Sequence, residues 1–253
     1  MPDLGTALLL FAAVIVGLYL VQRWSNRYVQ AVGLLLFGSR NAGLALLWLV
    51  LLPGTLLHEL SHWAMAKALG LRTGRFRIWP EFKRDGVVLG SVEVQRTNAL
   101  ADSLVGLAPF IGGTLALLAI GYLVFDVAAM AQAWNMGAWR QLWWLVRQAP
   151  LVPDAWLWLY LSVAISNAMM PSPTDRASWR PVLTYTGLVA VVALAVGGVP
   201  ALPSSWVAAM AGGLQMLTAA FAFTLAVDLV FAVALAGTVW LLSLLRGQRV
   251  EFR

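Results

Sequence analysis

The segment from Leu56 to Gly70 reads LLHELSHWAMAKALG and contains both histidines of the chain, His58 and His62, with Glu59 between them. Residues four apart on a helix project from the same face one turn apart, so the two imidazoles can bind one zinc ion. Glu59 lies on the same turn and can act as general base toward a metal-bound water. The alternative, a chance HExxH on a solvated face, is weak because ionisable residues are costly within an apolar segment and normally mark function.

Two histidines leave a zinc ion one protein ligand short of the usual number. The chain has no cysteine and no other histidine, so an Asp or Glu must supply the third ligand. We favour Asp175, because it follows the predicted span Ala155–Met170, which ends on the same side of the membrane as the span that contains the histidines. Asp175 could instead pair with Arg176 or cap the next helix. Asp228, inside the last predicted span, is the second choice, and its alternative role is a hydrogen bond between helices. The remaining candidates are Glu81, Asp85, Glu93, Asp102, Asp126 and Asp154.

The composition is that of an integral membrane protein. The chain has 253 residues, of which 61% are hydrophobic and 11% charged, whereas soluble domains have about 45–50% apolar and about 25% charged residues. The formal charge of +6 is not accompanied by a basic face with interleaved stacking residues, so nucleic acid is not expected as a partner. The excess instead predicts basic cytoplasmic loops beside anionic lipid.

The hydrophobic pattern predicts an all-α polytopic membrane protein with about six transmembrane helices, in a single domain covering residues 1–253. Its parts are a core at 42–175, a β-rich insertion at about 74–96 and C-terminal spans within 182–245. The predicted spans are about Leu4–Leu20, Ala42–Leu69, Ser103–Phe125, Ala155–Met170, Val182–Val199 and Ala219–Leu245.

Several breaks are predicted in this pattern. The stretch Tyr28–Phe37 is too short to cross a bilayer and is expected to be interfacial or re-entrant. Pro53-Gly54 should kink or break the second span just before the histidines. The region Ser204–Leu245 is too long for one simple span and should break near Gly212-Gly213, which leaves open whether it crosses once or twice.

Two segments between the spans have a different character. Alternating apolar residues around Asp85-Gly86 predict a β-hairpin over Phe76–Gln95, outside the hydrocarbon and on the cytoplasmic side. The Trp-rich stretch from Asp126 to Pro153 predicts an amphipathic interfacial helix. The basic residues concentrate on one side of a six-span arrangement, which predicts a bacterial inner-membrane protein with both termini in the cytoplasm.

The chain resembles the site-2 protease family of intramembrane zinc metalloproteases over about Ala42 to Asp175. The resemblance rests on HELSH in the second span, the β-rich segment after it, and an Asn–Pro–Pro–Asp element closing a later span. The family element ends in Leu-Asp-Gly, with that Asp as third zinc ligand; this chain reads Thr-Asp-Arg, and its prolines are offset. The Asn167 to Asp175 spacing of eight fits the family.

By this resemblance the chain would bind one Zn²⁺ through His58, His62 and Asp175, with Glu59 catalytic. Asn167 would position the substrate or stabilise the oxyanion. The implied activity is hydrolysis of peptide bonds in or near transmembrane segments of other membrane proteins. The alternative functions are a non-catalytic zinc-binding scaffold or chaperone and, less favoured, a metal transporter, which would need more ionisable residues within its spans.

Overall fold

The structure is a computed structural model that describes residues 3–83, 86–196 and 203–247, and α-helices make up most of this part of the chain. The helices are α1 (Leu4–Phe37), α2 (Arg40–Ala68), α3 (Ala99–Ala119), α4 (Val127–Asn135), α5 (Trp139–Gln148), α6 (Ala155–Met169), α7 (Pro173–Val196) and α8 (Ser204–Arg246). A π-helical turn, Ile120–Val124, extends α3, and a 3-10 turn, Ala149–Leu151, follows α5. The strands are β1 (Thr73–Arg77), β2 (Glu81–Lys83), β3 (Gly86–Val88) and β4 (Ser91–Val94).

Within the described residues, four helices are long and apolar enough to cross a membrane, namely α1, α2, α8 and α3 with its π-helical turn. The segment Trp139–Leu151 and helix α6 qualify only together, as a pair bent by 100°. The predicted all-α membrane class agrees with this architecture, but the predicted count of six spans differs. Helix α6 alone has 15 residues, about 22 Å, which is short of the roughly 30 Å hydrocarbon core. The predicted span Val182–Val199 ends outside the described residues.

The predicted division of the N-terminal region is wrong, because α1 is one helix of 34 residues. The polar stretch between Gln22 and Arg27 contains neither Pro nor Gly, and Gln and Arg are good helix formers. Part of this stretch is also packed inside the protein, with Ser25 buried and the Gln22 side chain donating a hydrogen bond to the Asn167 carbonyl of α6. The segment Tyr28–Phe37 is therefore the second half of a long helix.

The predicted break near Gly212-Gly213 is also wrong, because α8 continues through both glycines for 43 residues. A glycine within a helix costs only about 1 kcal/mol relative to alanine. Opening the helix in an apolar environment would instead leave several backbone groups without hydrogen bonds, at several kcal/mol each. At 1.5 Å per residue, α8 is about 65 Å long and α1 about 51 Å.

Helices α1 and α8 pack side by side and run in the same direction. Phe11 stacks on Phe221 near the start of the contact, and at its far end Arg246 donates a hydrogen bond to the Leu36 carbonyl. An even number of crossings would make the first and last spans antiparallel. The prediction that both termini are cytoplasmic requires that antiparallel arrangement, whereas the parallel pair favours an odd number of crossings.

Helices α2 and α6 also run parallel and in close contact. The Tyr160 hydroxyl donates to the Val50 carbonyl, and four residues further along each helix the Ala164 carbonyl lies against Gly54. A side chain at Gly54 would collide with that carbonyl, so the close approach requires glycine. The helix is not broken at Pro53-Gly54, because α2 passes through both residues, and the alternative of a kink there stays a prediction. Tyr160 hydrogen-bonds a carbonyl beside the gap that Pro53 leaves in the helix, and such partners let proline sit inside a buried helix.

The predicted β-rich segment forms two small antiparallel sheets, with β1 paired to β4 and β2 to β3. Arg84 and Asp85, at the predicted turn, lie outside the described residues. Trp48 of α2 donates its indole N–H to the Ile78 carbonyl and stacks on Trp79. Trp48 precedes the end of α2 by twenty residues, about 30 Å of helix. The segment therefore folds back beside the span, and not beyond its end where the sequence analysis placed it.

The predicted amphipathic helix in the Trp-rich stretch corresponds to α5. None of its residues is buried, and Trp139, Trp143 and Val146 of the predicted apolar face are exposed. The buried core lies elsewhere, where α1, α3, α6 and α8 meet. Its largest fully buried side chains include Leu18, Leu117, Met169 and Phe221.

Candidate metal centre

The sequence-predicted site residues come together where α2, α6 and α7 meet. His58, Glu59 and His62 lie on α2, Asn167 lies near the end of α6, and Asp175 lies in the first turn of α7. All five line one cavity of about 800 Å³. The parallel contact of α2 with α6 brings the two sequence-distant parts of the site together, since the α6 chain ends beside the histidines and turns into α7 there.

Each imidazole is held by a backbone carbonyl. His58 Nδ1 lies 2.7 Å from the Ala168 carbonyl oxygen, and His62 Nδ1 lies 2.9 Å from the Val105 carbonyl oxygen. A carbonyl can only accept a hydrogen bond, so both Nδ1 atoms carry the proton. In a neutral imidazole this leaves the lone pair on Nε2, which is the arrangement seen when a metal-binding histidine is oriented by a carbonyl.

The free nitrogen atoms converge on the Asp175 carboxylate. The two Nε2 atoms are 3.2 Å apart, His62 Nε2 is 3.3 Å from Asp175 Oδ1, and His58 Nε2 is 3.6 Å from Asp175 Oδ2. Ligands about 2.0–2.1 Å from a tetrahedral zinc ion lie about 3.3–3.4 Å from one another. Lone pairs of neutral imidazoles and a carboxylate repel at such distances unless a proton or a metal cation lies between them. The donor set and its spacing therefore fit one zinc ion.

Asp175 caps the helix that it begins, and the same carboxylate faces the two histidines, so the two roles that the sequence left open are compatible. Its Oδ2 accepts a hydrogen bond from the Ser172 backbone N–H, and its own N–H donates to the Ser172 hydroxyl. This reciprocal pair is a capping box at the start of α7. From α3, Gly106 packs against the Asp175 backbone so closely that a Cβ there would lie 2.9 Å from the Asp175 carbonyl oxygen. The carboxylate is thus fixed before any metal binds.

Glu59 is buried beside the histidines, although it is one residue away from the ligand face of α2. The turn before β4 packs against it, because a Cβ on Gly90 would lie 2.9 Å from Glu59 Cγ. The Val92 backbone N–H faces the Glu59 carboxylate. The β-rich segment therefore forms the wall that holds Glu59 in the cavity, which its sequence alone did not indicate.

Asn167 lines the cavity with one atom free. Its Nδ2 donates to the Val163 carbonyl at 2.8 Å, and this bond fixes which end of the amide is nitrogen. Its Oδ1 is buried and has no hydrogen-bond partner among the described residues. Asn167, which lines the cavity, therefore has a buried acceptor without a partner among the described residues. Of the two roles predicted for Asn167, stabilising an oxyanion would need a hydrogen-bond donor, whereas positioning the substrate can use an acceptor. This orientation of the amide therefore favours substrate positioning.

Five of the other candidate carboxylates have separate partners in the described part of the chain. Asp228 is buried on α8 and accepts from the Ser166 hydroxyl, which is the interhelical hydrogen bond considered from its sequence. Asp85 lies outside the described residues. Four others accept hydrogen bonds: Glu81 from Arg77, Glu93 from the Arg75 N–H, Asp102 from the Thr97 N–H and Asp126 from the Ala129 N–H. Asp154 immediately precedes α6.

Two contributors to the site were not identified from the sequence. Ser172 could have been found, because Ser-Pro-Thr-Asp at 172–175 matches the capping-box pattern with proline at the first helical position. Gln22 could not, because its bond to the Asn167 carbonyl depends on how α1 packs against α6.

No family model, curated protein or solved structure matches this chain.

Proposed function

We propose that the chain is a zinc metallopeptidase that hydrolyses peptide bonds of membrane-embedded protein segments, in the manner of the site-2 proteases that its motifs resemble. One observation carries the proposal. Two Nε2 atoms and a carboxylate converge at the spacing of zinc ligands, with Glu59 beside them in the same cavity. A purely structural zinc site would be closed and would need no adjacent base.

His58, His62 and Asp175 would hold the ion at the wall of the cavity that they line. A zinc ion in such a site lowers the pKa of a bound water and polarises a carbonyl. Glu59 takes up the proton of the attacking water and returns a proton to the leaving amine. Its packing against the β4 turn keeps the carboxylate from rotating away, which places the base before substrate arrives.

The substrate is proposed to bind as an extended segment along β4. Among the described residues this strand pairs with β1 alone, and residues Ser91 to Val94 line the cavity that contains the histidines. A peptide bond within a helix is shielded by its own hydrogen bonds, so a transmembrane substrate must unwind before cleavage. An unpaired strand edge offers the unwound backbone replacement hydrogen bonds.

The setting supports the same class of substrate. The histidines lie within α2, which is long and apolar enough to cross a membrane. We place the protein in a bacterial inner membrane, where its partners are the lipid bilayer and other membrane proteins. A hydrolytic site within a span acts on what the bilayer contains.

The test is cleavage of a single-span model protein by purified enzyme in liposomes, with zinc measured on the same samples. Glu59→Gln keeps the shape of the side chain and removes the base, so the rate should fall about 10²–10⁴-fold while the zinc content stays unchanged. The matched control is Glu81→Gln, an exposed glutamate paired with Arg77, which should cleave at the wild-type rate.

Two results would count against the proposal. A Glu59→Gln protein that binds zinc and cleaves as fast as wild type would remove Glu59 from the chemistry. A wild-type protein that is fully metallated and inert toward every membrane substrate would instead support the scaffold function.

A further inference from the structure

Asp228 is a carboxylate buried in the apolar interior, and it is not part of the proposed metal site. Its side chain is 1% exposed, and the metal-ligand group found in the described residues consists of His58, His62 and Asp175. A carboxylate buried in a span is costly unless it is hydrogen-bonded, and it normally marks function. Its partner is the Ser166 hydroxyl of α6, 2.8 Å from Oδ2 and 3.1 Å from Oδ1.

Ser166 and its neighbour Asn167 compete for one backbone carbonyl. The Val163 oxygen lies 3.0 Å from Ser166 Oγ and 2.8 Å from Asn167 Nδ2. A serine hydroxyl has a single proton to donate, and a carboxylate is a stronger acceptor than a carbonyl. Asp228 therefore draws the Ser166 proton toward α8 and leaves the Val163 oxygen to Asn167.

The Ser166 oxygen then completes the arrangement. With its proton directed at Asp228, its lone pairs face Asn167 Nδ2 at 3.4 Å. Both amide hydrogens of Asn167 are thus directed along α6, at Val163 and Ser166. The amide oxygen is left on the other side, with no partner among the residues described, on a residue that lines the cavity.

We propose that Asp228 is a positioning residue that acts through Ser166 to fix the Asn167 amide, so that Oδ1 accepts a hydrogen bond from a backbone N–H of the peptide substrate. The identity of the ligand rests on the proposed function, whereas the orientation of the amide does not. A peptide N–H fits this acceptor because the other cavity wall, β4, is a strand edge that holds an extended backbone. Asn167 would bind the edge of the substrate backbone that does not pair with β4.

The kinetic test compares single variants with a double variant in the liposome assay. Asp228→Asn and Ser166→Ala should each raise KM about three- to tenfold, the effect of one hydrogen bond, with kcat within about twofold and zinc content unchanged. Asn167→Ala should raise KM by a similar factor, and Asp228→Asn should add nothing to it. The matched control is Thr224→Val, a buried hydroxyl one turn before Asp228 that bonds within its own helix to Ala220; its KM should equal that of wild type.

A spectroscopic test does not depend on cleavage. The chain has five asparagines, so asparagine-selective ¹⁵N labelling gives few side-chain amide signals, and the Asn167 pair is assigned by its loss in Asn167→Ala. These signals should exchange slowly with water in the wild type, and should shift and exchange faster in Asp228→Asn and Ser166→Ala but not in Thr224→Val. Unchanged Asn167 signals in both variants would overturn the proposal, as would additive KM effects in the double variant. A wild type that cleaves nothing would refute the proposed function, and the amide signals would still decide the role of Asp228.

Discussion

Two substitutions separate the proposed ligand role of Asp175 from its role as a helix cap, because each role has its own partner. Asp175→Asn keeps the size of the side chain and an oxygen that can accept from the Ser172 N–H, but removes the charged ligand that lies 3.3 Å from His62 Nε2. Ser172→Ala removes the hydroxyl that accepts the Asp175 N–H and leaves the carboxylate in place. The first variant therefore tests the ligand, and the second tests the cap.

The expected magnitudes differ by an order or more. Zinc held by four protein ligands is worth about 10–16 kcal/mol, which is about 2.5–4 kcal/mol for each ligand. Losing the Asp175 ligand should therefore weaken zinc binding about 10²–10³-fold. Losing the Ser172 cap costs about 1 kcal/mol of helix stability, which would weaken zinc binding at most about fivefold even if all of it were transmitted to the site.

The assay is competition for zinc between the purified protein and a chelating dye in detergent, with thermal unfolding followed on the same samples. Asp175→Asn should lose zinc affinity and unfold close to the temperature of the wild-type apoprotein. Ser172→Ala should keep zinc and unfold at a slightly lower temperature than wild type. Equal zinc affinity in wild type and Asp175→Asn would show that Asp175 is a cap alone. An equal loss in both variants would show that the carboxylate acts through the fold of α7.

Two further predictions concern the helices that carry the site. Gly54→Ala pushes a methyl group into the Ala164 carbonyl of α6, and we expect it to lower the free energy of unfolding by about 1–3 kcal/mol and to weaken zinc binding. The control is Gly212→Ala, a position with open space around it, which should be neutral or stabilising. Equal stability of the two variants would contradict the packing described here. Because α1 and α8 run parallel, an impermeant thiol reagent should label a cysteine at Asp3 from one side of the membrane and cysteines at Arg40 and Leu245 from the other; the chain has no native cysteine to interfere. Labelling of positions 3 and 245 from the same side would restore the prediction that both termini are cytoplasmic.

The sequence predicted which side chains converge better than it predicted the helices around them. The HELSH spacing required only local helix geometry to bring His58 and His62 together, and the absence of cysteine narrowed the third ligand to a few carboxylates. Asp175 was favoured because α2 and α6 run in the same direction, and in the structure they do. The capping role of Asp175 could have been predicted from Ser172, three residues before it. The Ser166–Asp228 contact could not, because it depends on packing between distant helices.

Two of the predicted helix breaks are wrong for the same reason. Gly212-Gly213 and Pro53-Gly54 break helices in water, where an opened backbone can bond to solvent. In an apolar interior the same residues are carried within the helix, because no solvent is present to satisfy freed groups. The position of the β-rich segment was missed for a different reason. Its contact with Trp48 reverses the direction of the chain after Gly70, and no local pattern encodes a long-range reversal.

Hydrolysis consumes one water molecule for every bond cut, and hydrocarbon is nearly free of water. The hairpin folded back along α2 bears directly on this supply, because it replaces lipid with strand backbone as one wall of the cavity. The cavity continues from the histidines past β4 to Gln95, Arg96 and Asp102, where exposed polar side chains at the start of α3 meet solvent. Under the proposed function, the same segment that packs against Glu59 would also keep this route open for the water that hydrolysis needs. A hairpin too short to reach Trp48 would leave Glu59 without that wall.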